Sequence, residues 1–188
     1  MPSELSKFRG TILVEDTRTE RFFRELLIHL GFERHKLRFR PAPKGRGDAK
    51  AWIRAQSQYP LEVRILRKKS YERIFLITAI DGDNNDPETR KTQLDHALQA
   101  EGLRARQDEE RIAIPVPTWS IETWLLALLD HEVDEESSKK NSFEGYYPPK
   151  DERAALREAA RQWQRKSDRI PTVPSLADGK SEMGRIGV

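Results

Sequence analysis

No cysteine occurs among the 188 residues of this chain. That absence excludes disulfide stapling, thiolate nucleophiles and cysteine-type zinc sites together. It is compatible with a reducing cytoplasm, which is the expected location. Long apolar runs are missing as well. The longest, at residues 12–14, 74–80 and 124–129, are far too short to span a bilayer, so no membrane partner is expected. The opening Met-Pro-Ser-Glu-Leu-Ser-Lys carries no apolar stretch of the secretory kind. No segment repeats at a fixed period, which argues against a solenoid. A Walker-type Gly-x-x-x-x-Gly-Lys-Ser/Thr motif is also absent.

Charge, by contrast, is abundant: 35% of residues are ionic, with a net +3. So small an excess says little about partners, but its distribution says more. Arg34, Lys36, Arg38, Arg40, Lys44, Arg46, Lys50 and Arg54 face the single acid Asp48 in that stretch, and Arg67-Lys68-Lys69 follows. A solvated face explains most charge runs. This one surrounds the glycine-containing loop Lys44-Gly45-Arg46-Gly47, which suits phosphate contact. Lys44, Arg46, Arg38, Arg40 and Lys68 are the candidate nucleic-acid contacts.

Residues 11–14 (Thr-Ile-Leu-Val) have the continuous apolar character of a strand buried on both faces. Thr17 and Glu20 have capping-box spacing, Phe22, Phe23, Leu26, Leu27 and Leu30 form an apolar stripe, and Gly31 is placed to end that helix. Leu37 and Phe39 alternate with basic residues as in a second strand. Asp48 can cap a helix carrying Ala51, Trp52 and Ala55, which Pro60 interrupts. Residues 61–69 fit helix and strand equally poorly. Residues 74–80 form the strongest strand pattern, and Asp86-Pro87 opens a helix reaching about Gly102. A short strand at 112–116 precedes a helix capped by Ser120. Residues 130–150 read as a long loop, 151–166 as an amphipathic helix, and 171–188 as a flexible tail on a single domain of residues 1–170. Strands alternating with helices predict an α/β fold, a parallel sheet with helices on both faces. In such sheets the ligand sits beyond the carboxyl ends of the strands.

Glu15 follows the first strand, Asp81-Gly82-Asp83 the third, and Glu122 opens the helix after the fourth. Clustered carboxylates remain ionised together when a cation neutralises them. With no cysteine and only four histidines, the donors are hard oxygens, which select Mg²⁺ or Mn²⁺. Simpler readings exist for several acids. Asp86 suits an N-cap, Glu20 the return half of the capping box, and Glu122 a first helical turn where the dipole favours any carboxylate. Residues 81–86 also suit a polar turn, whereas Glu15, directly after a buried strand, is harder to explain in this way.

The segment Ile12-Leu-Val-Glu15-Asp-Thr-Arg-Thr-Glu20 resembles the opening of the Toprim fold, a Rossmann-like parallel-sheet architecture in which a strand ends in Glu and a helix begins soon after. Ile77-Thr-Ala-Ile-Asp81-Gly-Asp83 is similar to its Asp-x-Asp motif, and Glu122-Thr-Trp-Leu-Leu126 to a signature of small Toprim relatives of OLD-type and RloB-type nucleases in bacterial defence. Where that fold has Gly after the first Glu, this chain has Asp16. The resemblance implies a Mg²⁺-dependent endonuclease acting on DNA or RNA, with Glu15, Asp81, Asp83 and Glu122 catalytic and Glu15, Glu20, Asp81 and Asp83 metal-binding. It also implies possible control by an ATPase or sensor partner. The alternatives are a catalytically silent Toprim-like partner or nucleic-acid-binding subunit and, fitting less well, an acidic-site phosphohydrolase.

Overall fold

The computed structural model describes residues 4–41, 58–69 and 71–188. Its centre is a four-stranded, all-parallel sheet in the order β2-β1-β3-β4. The elements run β1 (Arg9–Val14), α1 (Thr17–Leu30), β2 (Leu37–Pro41), α2 (Gln58–Lys68), β3 (Ile74–Ala79), α3 (Pro87–Ala100), β4 (Ile112–Ala113), α4 (Ile121–Leu128), α5 (Lys140–Tyr146), α6 (Pro149–Lys166) and α7 (Pro174–Gly184). The α/β class with helices on both faces is therefore what the chain adopts.

Successive strand residues point to opposite faces, and both faces are apolar. Ile12, Val14, Phe75, Ile77 and Ala79 pack under α1, α4, α6 and α7. Leu13, Leu76, Ile80 and Ile112 pack under Tyr59, Val63 and Leu66 of α2 and Leu94 and Leu98 of α3. Trp163 of α6 meets Phe22 at 6.0 Å and Trp124 at 5.8 Å between ring centroids, joining three helices on the first face.

Several sequence expectations change here. Asp16, not Thr17, caps α1: its extended backbone places it outside the helix, and its Oδ1 accepts the Thr19 N–H at 2.8 Å. Gly31 ends the helix in the left-handed conformation (φ 104°), where a side chain would be strained. Residues 58–68 resolve as helix, with Pro60 inside it. β4 is only two residues long because the next N–H, that of Ile114, donates to Glu182 Oε2 (2.8 Å) and Pro115 has no N–H to offer. The long loop expected at 130–150 contains α5. The helix expected from Asp48 lies outside the described residues.

The largest correction concerns residues 171–188, expected to be a flexible tail. They fold into α7, with Val173, Leu176, Met183 and Ile186 fully buried. Gly179 lies so close to Trp124 that a Cβ there would come within 2.3 Å of the indole. Glu182 is buried among Arg106, Lys91 (3.2 Å) and the Ile114 N–H. The segment is held by ion pairs and close backbone approach as much as by apolar side chains, so it lacks a readable apolar stripe.

Candidate functional site

In a sheet ordered 2-1-3-4 the winding direction reverses between β1 and β3, and open sheets of this kind form their ligand crevice beyond the carboxyl ends of those two strands. The ladder between them runs from Arg9↔Ile74 to Val14↔Ala79, so Glu15 and Asp81 emerge side by side at that crevice. The two residues touch: Glu15 Oε1 accepts the backbone N–H of Asp81 at 3.1 Å. Both are half-buried.

The loop carrying Asp81 is fixed to the segment after β4. The N–H of Gly82 donates to Pro117 O (2.8 Å), that of Asn84 to Thr118 O (2.8 Å) and that of Asp83 to Trp119 O (3.2 Å). Arg90, buried in α3, gives Nη2 and Nε to Gly82 O at 2.9 and 3.2 Å. A Cβ on Gly82 would meet Thr118 O at 2.3 Å and the carbonyls of Pro117 and Asn85 at 2.7 Å, all backbone atoms unable to yield singly. Gly82→Ala is therefore expected to lower unfolding stability by about 3 kcal/mol, the upper part of the overpacking range. A chemical denaturation midpoint measures this, and an unchanged midpoint would show that the loop relaxes freely. Asp86 caps α3 through the Thr89 N–H (2.9 Å) and hydroxyl (2.7 Å), and these bonds hold its carboxyl below the ordinary range.

The other candidate acids have different surroundings. Asp83 is exposed, lies at φ 49°, and pairs with Arg90 Nη2 at 3.2 Å. Glu20 pairs with Arg24 one turn along α1, at 2.6 Å, and makes no return bond to a cap. Glu122 is buried against Arg18, whose guanidinium also reaches Glu152 (3.2 Å) and Glu144 (3.3 Å). Arg18, unnoticed in the sequence, thus neutralises a carboxylate that would otherwise be costly to bury. The structure joins Glu15 to Asp81 and gives Glu20 and Glu122 to arginines. Among the described residues, no three Asp, Glu or His side chains form a group able to hold a metal ion.

The candidate basic residues are scattered. Arg38 Nη2 contacts Glu62 Oε2 at 2.9 Å and Arg40 Nη1 contacts its Oε1 at 3.1 Å, so this buried carboxylate engages both. Lys68 ends α2 just before β3 begins, at the edge of the sheet opposite Glu15. Lys44 and Arg46 lie outside the described residues.

The donor set bears directly on a metal. Mg²⁺ is commonly held by one or two carboxylates, with waters and substrate phosphates completing its shell. Glu15 and Asp81 fit that mode, whereas an all-protein cage of Glu15, Asp81 and Asp83 does not fit. Asp16, the residue after Glu15, serves α1 as its cap.

Fold and site together define a doubly wound parallel α/β protein with an acidic pair at its topological switch point. Comparison with protein-family models, curated proteins and solved structures returned no match.

Proposed function

We propose that this protein is a Mg²⁺- or Mn²⁺-dependent nuclease of Toprim type, hydrolysing phosphodiester bonds in DNA or RNA from the switch-point crevice. The observation that carries this reading is the contact of Glu15 with the Asp81 backbone across the ends of β1 and β3. Glu15 and Asp81 would hold the ion. When bound, a divalent ion of this kind activates water and neutralises charge developing on phosphate. The protein supplies position. Glu15 is fixed by its strand and by the Asp81 N–H, and the Asp81 loop is pinned by Arg90 and residues 117–119. In this reading Asp83 supports the loop through Arg90, and regulation by an ATPase or sensor protein is part of the proposal.

Single-turnover cleavage of labelled DNA and RNA tests the proposal. Activity is expected with Mg²⁺ or Mn²⁺ and none in EDTA. Cleavage undiminished by chelator would refute the metal-dependent reading. A second reading, a nucleic-acid-binding subunit without chemistry, is favoured by the pairing of Asp83 with Arg90. It predicts binding without cleavage under every divalent ion.

A further inference from the structure

A cleft of about 430 Å³ lies between α1 and α6, away from the strand-end pair. Arg21, Arg24 and Ile28 line it from α1, Arg34 from the turn after that helix, and Arg153 and Leu156 from α6. The spacings i, i+3, i+7 on α1 and i, i+3 on α6 bring each helix's contribution onto one face. Four guanidiniums thus surround a partly apolar floor, with Glu25 the one acid among the described lining residues. Glu25 is itself engaged by Arg157 at 3.4 Å.

The four arginines are not equivalent. Arg21 is steadied by Glu152 (3.1 Å). Arg24 is held by Glu20 (2.6 Å) and lies over the Phe39 ring at 4.1 Å. The side chains of Arg34 and Arg153 make no hydrogen bond or ion pair with any described residue, and both are exposed. Two preset guanidiniums beside two with unused donors suit an anion offering several oxygens, because planar guanidinium forks match phosphate geometry.

The cleft also has a defined relation to the crevice. α1 starts next to Glu15, and Arg21 follows six residues on, about 9 Å along the helix axis. A few nucleotides of a single strand would cover that distance.

We infer that the α1/α6 cleft binds the phosphodiester backbone of the nucleic acid flanking the bond to be cut. This inference rests on the nuclease reading for its substrate class. The cleft is a binding element, and Arg34 and Arg153 take no part in the chemical step.

The test is fluorescence anisotropy with 20-nucleotide single strands, DNA and RNA separately, in EDTA so that no ion occupies the acidic pair. The double variant Arg34→Ala/Arg153→Ala removes no hydrogen bond or ion pair to a described residue. It should weaken binding about tenfold and reduce the salt slope of log K by about 1.5, corresponding to two lost phosphate contacts. Arg165→Ala, exposed on α6 outside the cleft, is the control for net charge. An unchanged double variant overturns the inference, and so does a loss matched, residue for residue, by the control. With Mg²⁺ present, the double variant should raise KM and leave the rate at saturation near wild type. If it loses binding as expected but wild type never cleaves, the cleft assignment stands and the hydrolytic reading falls. If wild type cleaves while the double variant binds normally, the reverse holds.

Discussion

An Asp81→Asn protein is expected to cleave nucleic acid at least about a hundredfold more slowly than wild type while binding it equally well or better. The substitution keeps the side chain's shape and retains the backbone N–H that meets Glu15 Oε1, so the loop should stay in place. What it removes is one negative charge from the crevice. Loss of that charge weakens retention of a divalent cation and relieves repulsion toward phosphate. The decisive comparison is single-turnover cleavage beside a binding titration on the same preparation. Intact cleavage in this variant would mean that the acids at the switch point are structural. Loss of both binding and cleavage, accompanied by a lowered unfolding midpoint, would point to a damaged loop instead.

The second large effect concerns stability. Deleting residues 171–188 is expected to abolish cooperative thermal unfolding. The deletion removes Val173, Leu176, Met183 and Ile186, each fully buried and each contributing roughly 1.5–3 kcal/mol. It also uncovers Trp124, whose indole N–H donates to Ser175 Oγ at 2.7 Å. Together these losses are comparable to the whole stability of a domain of this size. A milder variant, Glu182→Ala, isolates the polar part. Arg106 and Lys91 would lose a buried carboxylate, at an expected cost of about 3–5 kcal/mol. Burial opposes ionisation of Glu182, but the Arg106 hydrogen bond and charge, the Ile114 N–H and Lys91 outweigh it and hold its carboxyl below the ordinary value of 4.5. A depressed folded value means that the unfolded chain takes up the proton first as pH falls. The stabilisation from Glu182 is therefore complete above that ordinary value and disappears as pH drops through the folded one. Wild type should lose stability over that acid range more steeply than Glu182→Ala, as denaturation midpoints across pH will show. A tail that unfolds independently, leaving the remaining transition intact, would contradict the packing described for α7.

The contrast between α7 and α1 shows which parts of the fold were legible in the sequence. α1 announces itself through a stripe of large apolar residues and a terminal glycine, both local signals. The buried face of α7 includes Ser175, Gly179 and Glu182, whose partners Trp124, Arg106 and Lys91 come from distant segments. No local periodicity could reveal them. The acidic residues divide in the same way. Glu15 and Asp81 were readable because strand ends in a parallel sheet share one edge, a consequence of topology alone. The pairing of Glu122 with Arg18, 104 residues earlier in the chain, depends on how α1 and α4 meet. The cap of α1 falls to Asp16 rather than Thr17 because either residue type can serve a helix start, and only the backbone conformation at residue 16 decides between them.

The contact between Glu15 and Asp81 spans 66 positions of chain. α1, β2 and α2 intervene in sequence, although β2 does not stand between β1 and β3 in the sheet. Closing so long a loop costs entropy before any ladder bond repays it, and non-local parallel pairing is slow for that reason. The loop bearing Asp81 is pinned in turn by residues 117–119, which come later still. A ribosome-bound chain that has emerged only as far as Asp81 therefore has both carboxylates but not the pinned loop. On the proposed nuclease reading, competence would arrive late during synthesis, after the segment following β4 has docked against the Asp81 loop.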